Sequence, residues 1–307
     1  MAFILSFLLS LFGVWFFGRI AKKFEIVDKP DGVLKPHGRE VPYLGGLGIF
    51  TGLLPFLWKD SPVLLASSLA LAIGLLDDLF SLSPFFRLIV EFGISLLLIW
   101  RFVGFYNVWY SAFWMLLVVI LINAVNMMDG MDGLCSSLVA ISSFFFFLLV
   151  QGSFFQELSL ALLGASLGYL VFNFPPAKIF MGDAGSYLIA VVLSILFISQ
   201  NRHPSFNSLV SFLFLLWIFL LDFFASVLRR YKSKKPIFFG DKDHMYDKLS
   251  RQFGVRKSLF IMSLIHSLFC GFSLGAMNNT LTSVISLCIS GFFSYILVKG
   301  LNLTGYD

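Results

Sequence analysis

Five stretches of this 307-residue sequence carry side chains whose types and spacing could do chemistry. Asp77 and Asp78 are adjacent carboxylates directly after an apolar run, in GLLDDLFSLSPFFR. Two such acids repel unless they share a proton or a cation. Their hard oxygens suit Mg2+, which commonly takes one or two carboxylates together with substrate phosphates. A full DDxxD diphosphate motif is absent, because Ser81 stands in the fifth position, and a helix end with two solvated acids accounts for the pair equally well. In NAVNMMDGMDGL, with Asn123 at its start, Asn126 and Asp129 are three apart and share a face of a final helical turn. Two Asp-Gly pairs then break the helix and open the Asp129 and Asp132 carboxylates to a ligand.

The third stretch is NFPPAKIFMGDAGSYL. Pro175-Pro176 ends one helix and Gly182-Asp183-Ala184-Gly185-Ser186 opens the next. Asp183 then stands at a helix N-terminus, where an anion or phosphate is favoured nearby. Lys178 is a partner for phosphate, and Phe180 is a surface on which a planar base can stack. The fourth, LRRYKSKKPIFFGDKDHMYDKLSRQFGVRK, mixes ten bases with Asp241, Asp243, His244 and Asp247. Anionic lipid headgroups account for many of the bases. His244 is of a type that binds phosphate and changes charge near neutral pH, although a structural histidine is the plainer reading. The fifth is DKPDGVLKPHGREVPYLGGLGIF, in which His37 precedes Pro42 and Gly45-Gly46. Asp222, seven residues before Arg229, is predicted to share its helix face and pair with it.

The elements that must position these groups are apolar. The chain is 58% hydrophobic and only 13% charged, against about 45–50% and about 25% in ordinary soluble domains. Such a chain cannot clothe a soluble core, and its runs are continuously apolar rather than alternating as in a membrane β-barrel. Spans of roughly 20 residues are predicted near 2–19, 43–58, 62–76, 88–100, 111–125, 135–150, 158–172, 186–200, 207–228, 258–275 and 280–298. The expected fold is all-α: a polytopic integral membrane protein of about ten or eleven transmembrane helices, forming one domain over 1–307. Residues 1–17 lack a preceding basic region, so a retained first span is expected rather than a cleaved signal. Cys135, Cys270 and Cys288 lie in apolar runs and are read as small buried hydrophobes.

Eleven spans make the connections alternate between faces. One face receives eighteen of the 22 Lys and Arg, the other three. By the positive-inside rule the first face is cytoplasmic and the N-terminus lies outside. All five stretches fall on that cytoplasmic face, together with twelve of the 17 acids. The basic balance is therefore assigned to the membrane surface and to phosphates, not to nucleic acid.

In this order the five stretches resemble the polyprenyl-phosphate N-acetylhexosamine-1-phosphate transferase family, glycosyltransferase family 4. The pieces that carry the resemblance are His37…Pro42…Gly45-Gly46, Asp77-Asp78, Asn126-Met-Met-Asp129-Gly-Met-Asp132-Gly and Phe180-Met-Gly182-Asp183-Ala-Gly185-Ser186. The resemblance implies transfer of a sugar-1-phosphate, N-acetylglucosamine-1-phosphate above others, from a UDP-sugar to undecaprenyl phosphate. UMP is released, and a lipid-linked cell-envelope glycan of the O-antigen or teichoic-acid kind begins. It implies Mg2+, or Mn2+, on Asp183 with Asn126 close by. It implies Asp77 or Asp78 as the base toward the lipid phosphate, and Asp129, Asp132, Asn173 and Phe180 around the nucleotide. His37, Arg87 and His244 are implied on the substrates. A bacterial cytoplasmic membrane and a homodimer are family-level expectations. The family's H-x-H-H stands here as His244-Met245-Tyr246-Asp247, so only His244 carries over. A pentapeptide-recognising member of the same family is the nearer rival. A transporter is the more distant one, and it would place polar groups near the bilayer midplane, whereas only Glu91 and Asp222 carry formal charge within predicted spans.

Overall fold

The computed structural model describes every residue except 29–39, 106, 202–204, 238–239 and 307. Among the described residues there are thirteen helices and one two-stranded antiparallel ribbon, β1 (Val27–Asp28) with β2 (Val41–Pro42). The chain divides into two compact units, 1–202 and 203–307.

The first unit contains α1 (Ala2–Lys23), α2 (Gly45–Leu57), α3 (Ser61–Phe80), α4 (Pro84–Phe102), α5 (Val108–Met127), α6 (Leu134–Leu149), α7 (Ser153–Asn173) and α8 (Gly182–Gln200). Local chemistry marks several starts. Asp60 caps α3 by accepting from the Val63 amide, and Ser83 caps α4 from the Phe86 amide, each followed by proline in the first turn. Asn107 does the same for α5, accepting from the Trp109 and Tyr110 amides. Asp60 and Arg101 also form a bidentate ion pair at the ends of α3 and α4.

Within a membrane, helices associate through close packing and interhelical hydrogen bonds rather than through the hydrophobic effect. The α1–α7 contact shows both. Ser6 and Ser10 donate to the Ala161 and Ala165 carbonyls at 2.7 and 2.9 Å. Gly164 and Gly168 let the α1 backbone in so near that a Cβ at either would strike the Phe3 or Phe7 carbonyl oxygen. At the centre lies α8, buried without interruption from Ala184 to Ile198 and packed against α2, α3 and α5.

The second unit contains α9 (Phe206–Phe214), α10 (Trp217–Lys232), α11 (Met245–Phe253), α12 (Val255–Asn278) and α13 (Thr280–Gly300). α12 packs against α9, α10, α11 and α13.

Each predicted apolar run contains a helix, and among the described residues seven helices (α1, α3, α5, α7, α8, α12 and α13) are long and apolar enough to cross a membrane. The protein is an all-α, multi-pass membrane protein. One predicted run is corrected: 207–228 is not a continuous span but α9 and α10, bent by 77° at Leu215-Leu216. No glycine or proline lies at the break; short turns there (Leu215 to Phe212, Leu216 to Leu213) accompany complete burial of both leucines. Packing, not a local breaker, sets the bend. Cys135 and Cys270 are buried as expected, but Cys288 is exposed, on the outer side of α13.

Gly164→Leu should prise α1 from α7. Overpacking of this kind costs about 1–3 kcal/mol, and a lowered Tm of the purified protein in detergent is the expected reading.

Candidate active site

The first three chemical stretches meet at the N-terminus of α8. That end brings unpaired amide donors into a crowded interior, where they need acceptors. Asp78, from the last turn of α3, supplies them: its Oδ1 accepts from the Asp183 amide at 2.9 Å and its Oδ2 from the Ala184 amide at 3.2 Å. The approach requires glycine. Gly182 has φ +69°, and a Cβ there would overlap the Asp78 carboxylate. Gly74, one turn earlier on α3, lies against the backbone of Asp183 and Ala184 in the same way.

Asp77 is 7% exposed and serves a different partner. Its Oδ1 accepts from the Leu82 amide at 2.7 Å and its Oδ2 from Arg87 Nη1 at 2.6 Å. Arg87, in the first turn of α4, thus stands beside the carboxylates, with Nη1 3.8 Å from Asp183 Oδ2 and 3.4 Å from the Tyr187 hydroxyl. Asp183 keeps a third of its side chain exposed. Its Oδ1 accepts from Asn126 Nδ2 at 2.8 Å, and the same amide reaches Ser186 Oγ at 3.0 Å. Asn126 therefore orients Asp183 through its nitrogen.

Asp129, just beyond α5, is half-buried. Burial first, and then the charges of Asp183, Asp78 and Asp132, push its carboxyl well above the usual carboxylate range. The site is thus rich in carboxylate oxygen, with Arg87 as the cation ion-paired within it.

Known proteins place this arrangement. The glycosyl transferase family 4 model matches residues 61–201, the stretch that contains the whole cluster. An undecaprenyl-phosphate alpha-N-acetylglucosaminyl 1-phosphate transferase of Thermotoga maritima is 33% identical over 97% of this chain and 96% of its own length. A probable undecaprenyl-phosphate N-acetylglucosaminyl 1-phosphate transferase of Bacillus subtilis is 29% identical over 97% and 88%. A third relative, from Escherichia coli K12 and named as the Thermotoga protein is, is 27% identical over 83% and 77%. The chain belongs to glycosyl transferase family 4, the polyprenyl-phosphate N-acetylhexosamine-1-phosphate transferases.

Asp77, Asp78, Arg87, Asn126 and Asp183 converge in this family member, and Asp129 and Asp132 border them electrostatically. The remaining expected residues are placed as follows. Asn173 is buried, with Oδ1 accepting from the Gly133 amide and Nδ2 donating to the Ile179 carbonyl. It clamps the turn before α6 to the segment before α8, with one bond accepted and one donated to backbone. Asp132 accepts from the Ala177 amide at 2.8 Å and fixes the same two segments. Phe180 is partly exposed, its backbone bonded to Pro42 and Gly45, while Lys178 is exposed. Asn123 donates to buried Glu91 at 2.7 Å. His37 lies outside the described residues. Tyr187 is a member of the cluster that the motifs do not name, although its spacing of four from Asp183 puts it on the same helix face.

In the second unit, His244 precedes α11 and is buried. The expected Asp222–Arg229 pair does not form. Asp222 instead accepts from the Met245 amide at 2.8 Å and sits 2.6 Å from His244 Nδ1. Arg229, fully buried, pairs with Asp241 at 2.8 Å, which Arg230 also approaches at 3.3 Å. Seven-residue spacing allows the Asp222–Arg229 contact, but the connection between α10 and α11 folds back and offers each a nearer partner. Asp247, standing where the family has a histidine, accepts from the His244 amide and closes the first turn of α11. Its carboxyl is pushed up to about 6, chiefly by burial.

Burial works to raise the Asp241 pKa, but the hydrogen bonds and charges of Arg229 and Arg230 outweigh it and hold the carboxyl at about 2. The folded value lies below the unfolded one of about 3.9. Its stabilisation is therefore present above about pH 4 and lost as pH falls toward about 2. Asp241→Asn strands a buried guanidinium and should cost about 3–5 kcal/mol at neutral pH. Thermal melts in detergent should show that deficit shrinking below pH 4; a deficit independent of pH would contradict it.

Proposed function

We propose that this protein transfers N-acetylglucosamine-1-phosphate from its UDP-sugar to undecaprenyl phosphate, releasing UMP, on the cytoplasmic face of a bacterial membrane with its N-terminus outside. The observation that carries the reading is the convergence of Asp183, Asn126, Asp78 and the Asp77–Arg87 pair at one helix N-terminus. The names of the relatives support the acceptor and the sugar, and the eighteen-to-three segregation of Lys and Arg supports the orientation.

In the reaction, an oxygen of the lipid phosphate attacks the sugar-bearing phosphorus of the donor, and the bond to UMP breaks. Such a transfer depends on positioning and on neutralising negative charge. The donor set fits Mg2+. Asp183 offers an accessible carboxylate steadied by Asn126, with neighbouring acids that favour a cation. Among the described residues no three His, Cys, Asp or Glu side chains gather into a cage, which suits an ion that takes its remaining ligands from phosphates and water. When bound, Mg2+ would neutralise charge on the diphosphate and on the leaving UMP.

The protein's own groups do the rest. Arg87, held by Asp77, presents a fixed cation to phosphate. Asp77 is spent in that ion pair, whereas Asp78 is more open and lies directly beside Asp183. Asp78 is therefore the carboxylate assigned to take the last proton of the acceptor phosphate. Asp129 and the Asp132-anchored loop, with Phe180, face the nucleotide.

Purified protein should release UMP only with UDP-N-acetylglucosamine, undecaprenyl phosphate and Mg2+ or Mn2+ together. Absence of UMP release across a panel of UDP-sugars, including UDP-MurNAc-pentapeptide, would sink the reading. Asp183→Asn should abolish turnover while the protein still inserts in the membrane. Asn126→Ala, which removes the partner that orients Asp183, should cost about 10–100-fold, with the Mg2+ concentration for half-activity raised. An unchanged Mg2+ dependence would show that Asn126 does not act through the metal ligand.

A further inference from the structure

After α13 the chain turns back onto the His244 cluster within the second unit. Leu303 is completely buried, and its carbonyl accepts from Arg229 Nη1 at 2.8 Å. Lys248 Nζ donates to the Gly305 carbonyl at 3.2 Å, and the Tyr306 hydroxyl donates to Asp241 Oδ2 at 3.1 Å. The Tyr306 ring also meets two cations, with Arg229 Cζ 5.4 Å and Lys235 Nζ 3.7 Å from its centroid. Such cation–ring contacts are attractive and orient the ring.

These contacts converge on one carboxylate. Asp241 Oδ1 accepts from Arg229 and lies 3.5 Å from His244 Nε2. Asp241 Oδ2 is held by Arg230 Nε and by Tyr306. On the opposite edge of the imidazole, Nδ1 is 2.6 Å from Asp222 Oδ2 and 3.3 Å from Ser226 Oγ. Tyr246 stacks flat on the ring, at 5.3 Å and 2°. His244 is therefore faced by Asp222 and Ser226 of α10, with Arg229 behind them, by Asp241 of the connection, and by Tyr246 and Asp247 of α11.

We propose that the segment Leu301–Tyr306 is a strap, and that Tyr306 is a positioning residue: its hydroxyl and ring hold the Asp241 carboxylate turned toward His244 Nε2. The imidazole is then fixed between two carboxylates, with a proton favoured on both nitrogens. This rests on the transferase reading above and on the part in it that family resemblance gives His244. Burial alone would lower the pKa of His244, but Asp222 first, and Asp247 and Asp241 after it, raise it above the ordinary histidine value. Releasing Asp241 removes part of that support, so the ring should lose its proton at lower pH.

The test uses the full chain in lipid nanodiscs. UMP release from UDP-N-acetylglucosamine and undecaprenyl phosphate is followed between pH 5.5 and 9 for the wild type, Tyr306→Phe, Tyr306→Ala and His244→Ala. Loss of the single hydroxyl in Tyr306→Phe should lower kcat about 3- to 10-fold, with KM for both substrates little changed. The alkaline limb of its pH–rate profile should move to lower pH. Tyr306→Ala, which also loses the ring, should move it further; if that variant does not fold, the phenylalanine variant decides. A loss of folded protein alone would lower the rate equally at every pH, and that result, or an unmoved profile, overturns the strap. Full turnover by His244→Ala overturns it by a different route, removing the role of His244. Failure of the wild type to release UMP strikes the underlying transferase reading instead.

Discussion

The buried N-terminus of α8 is the constraint around which the first unit is arranged. A helix enclosed from Ala184 to Ile198 cannot leave its first amides to water. Asp78 reaches across from α3 to satisfy two of them. That one interaction fixes several others. It requires a close approach between α3 and the start of α8, hence Gly74 and Gly182. It also places Asp77, one residue earlier, where Arg87 of α4 can pair with it, and it leaves the Asp183 side chain projecting past the helix end toward Asn126. A structural cap and the candidate active site are here the same set of atoms.

The second unit follows the same economy with different groups. Its buried guanidinium, Arg229, is held at Nη1 by the Leu303 carbonyl and at Nη2 by Asp241 and Ser226, while Nε is left without a partner. Asp241 in turn is shared with His244, so the interaction that makes a buried arginine affordable also sets the surroundings of the histidine. Asp247 replaces a family histidine by capping α11. It therefore supports the backbone at a position from which the chain has dropped one imidazole.

Much of this was legible from residue type and spacing. Carboxylates at the ends of apolar runs can lie only at a membrane boundary, and Asn126 to Asp129 or Gly182 to Ser186 are short enough for local geometry to fix their relations. The resemblance then tied separate stretches together. What the stretches do to one another was not legible. Asp77 and Asp78 look equivalent in sequence, yet one is buried in an ion pair with Arg87 while the other, more open, accepts from the first amides of α8. The backbone clamp that Asn173 makes between the turn before α6 and the segment before α8 has no signature in its motif. The Asp222–Arg229 expectation failed because helical spacing states which groups can meet, not which partners a returning loop will bring closer.

Residue composition and order alone settle that the protein is helical and membrane-embedded, because apolar runs of bilayer length permit no other satisfied backbone. Its motifs also determined the family. Only the tertiary structure decided the bend at Leu215-Leu216, the division of labour between Asp77 and Asp78, and the return of Tyr306 to Asp241. Each of these depends on contacts between residues distant in the chain, where several partners are chemically equivalent and packing selects one.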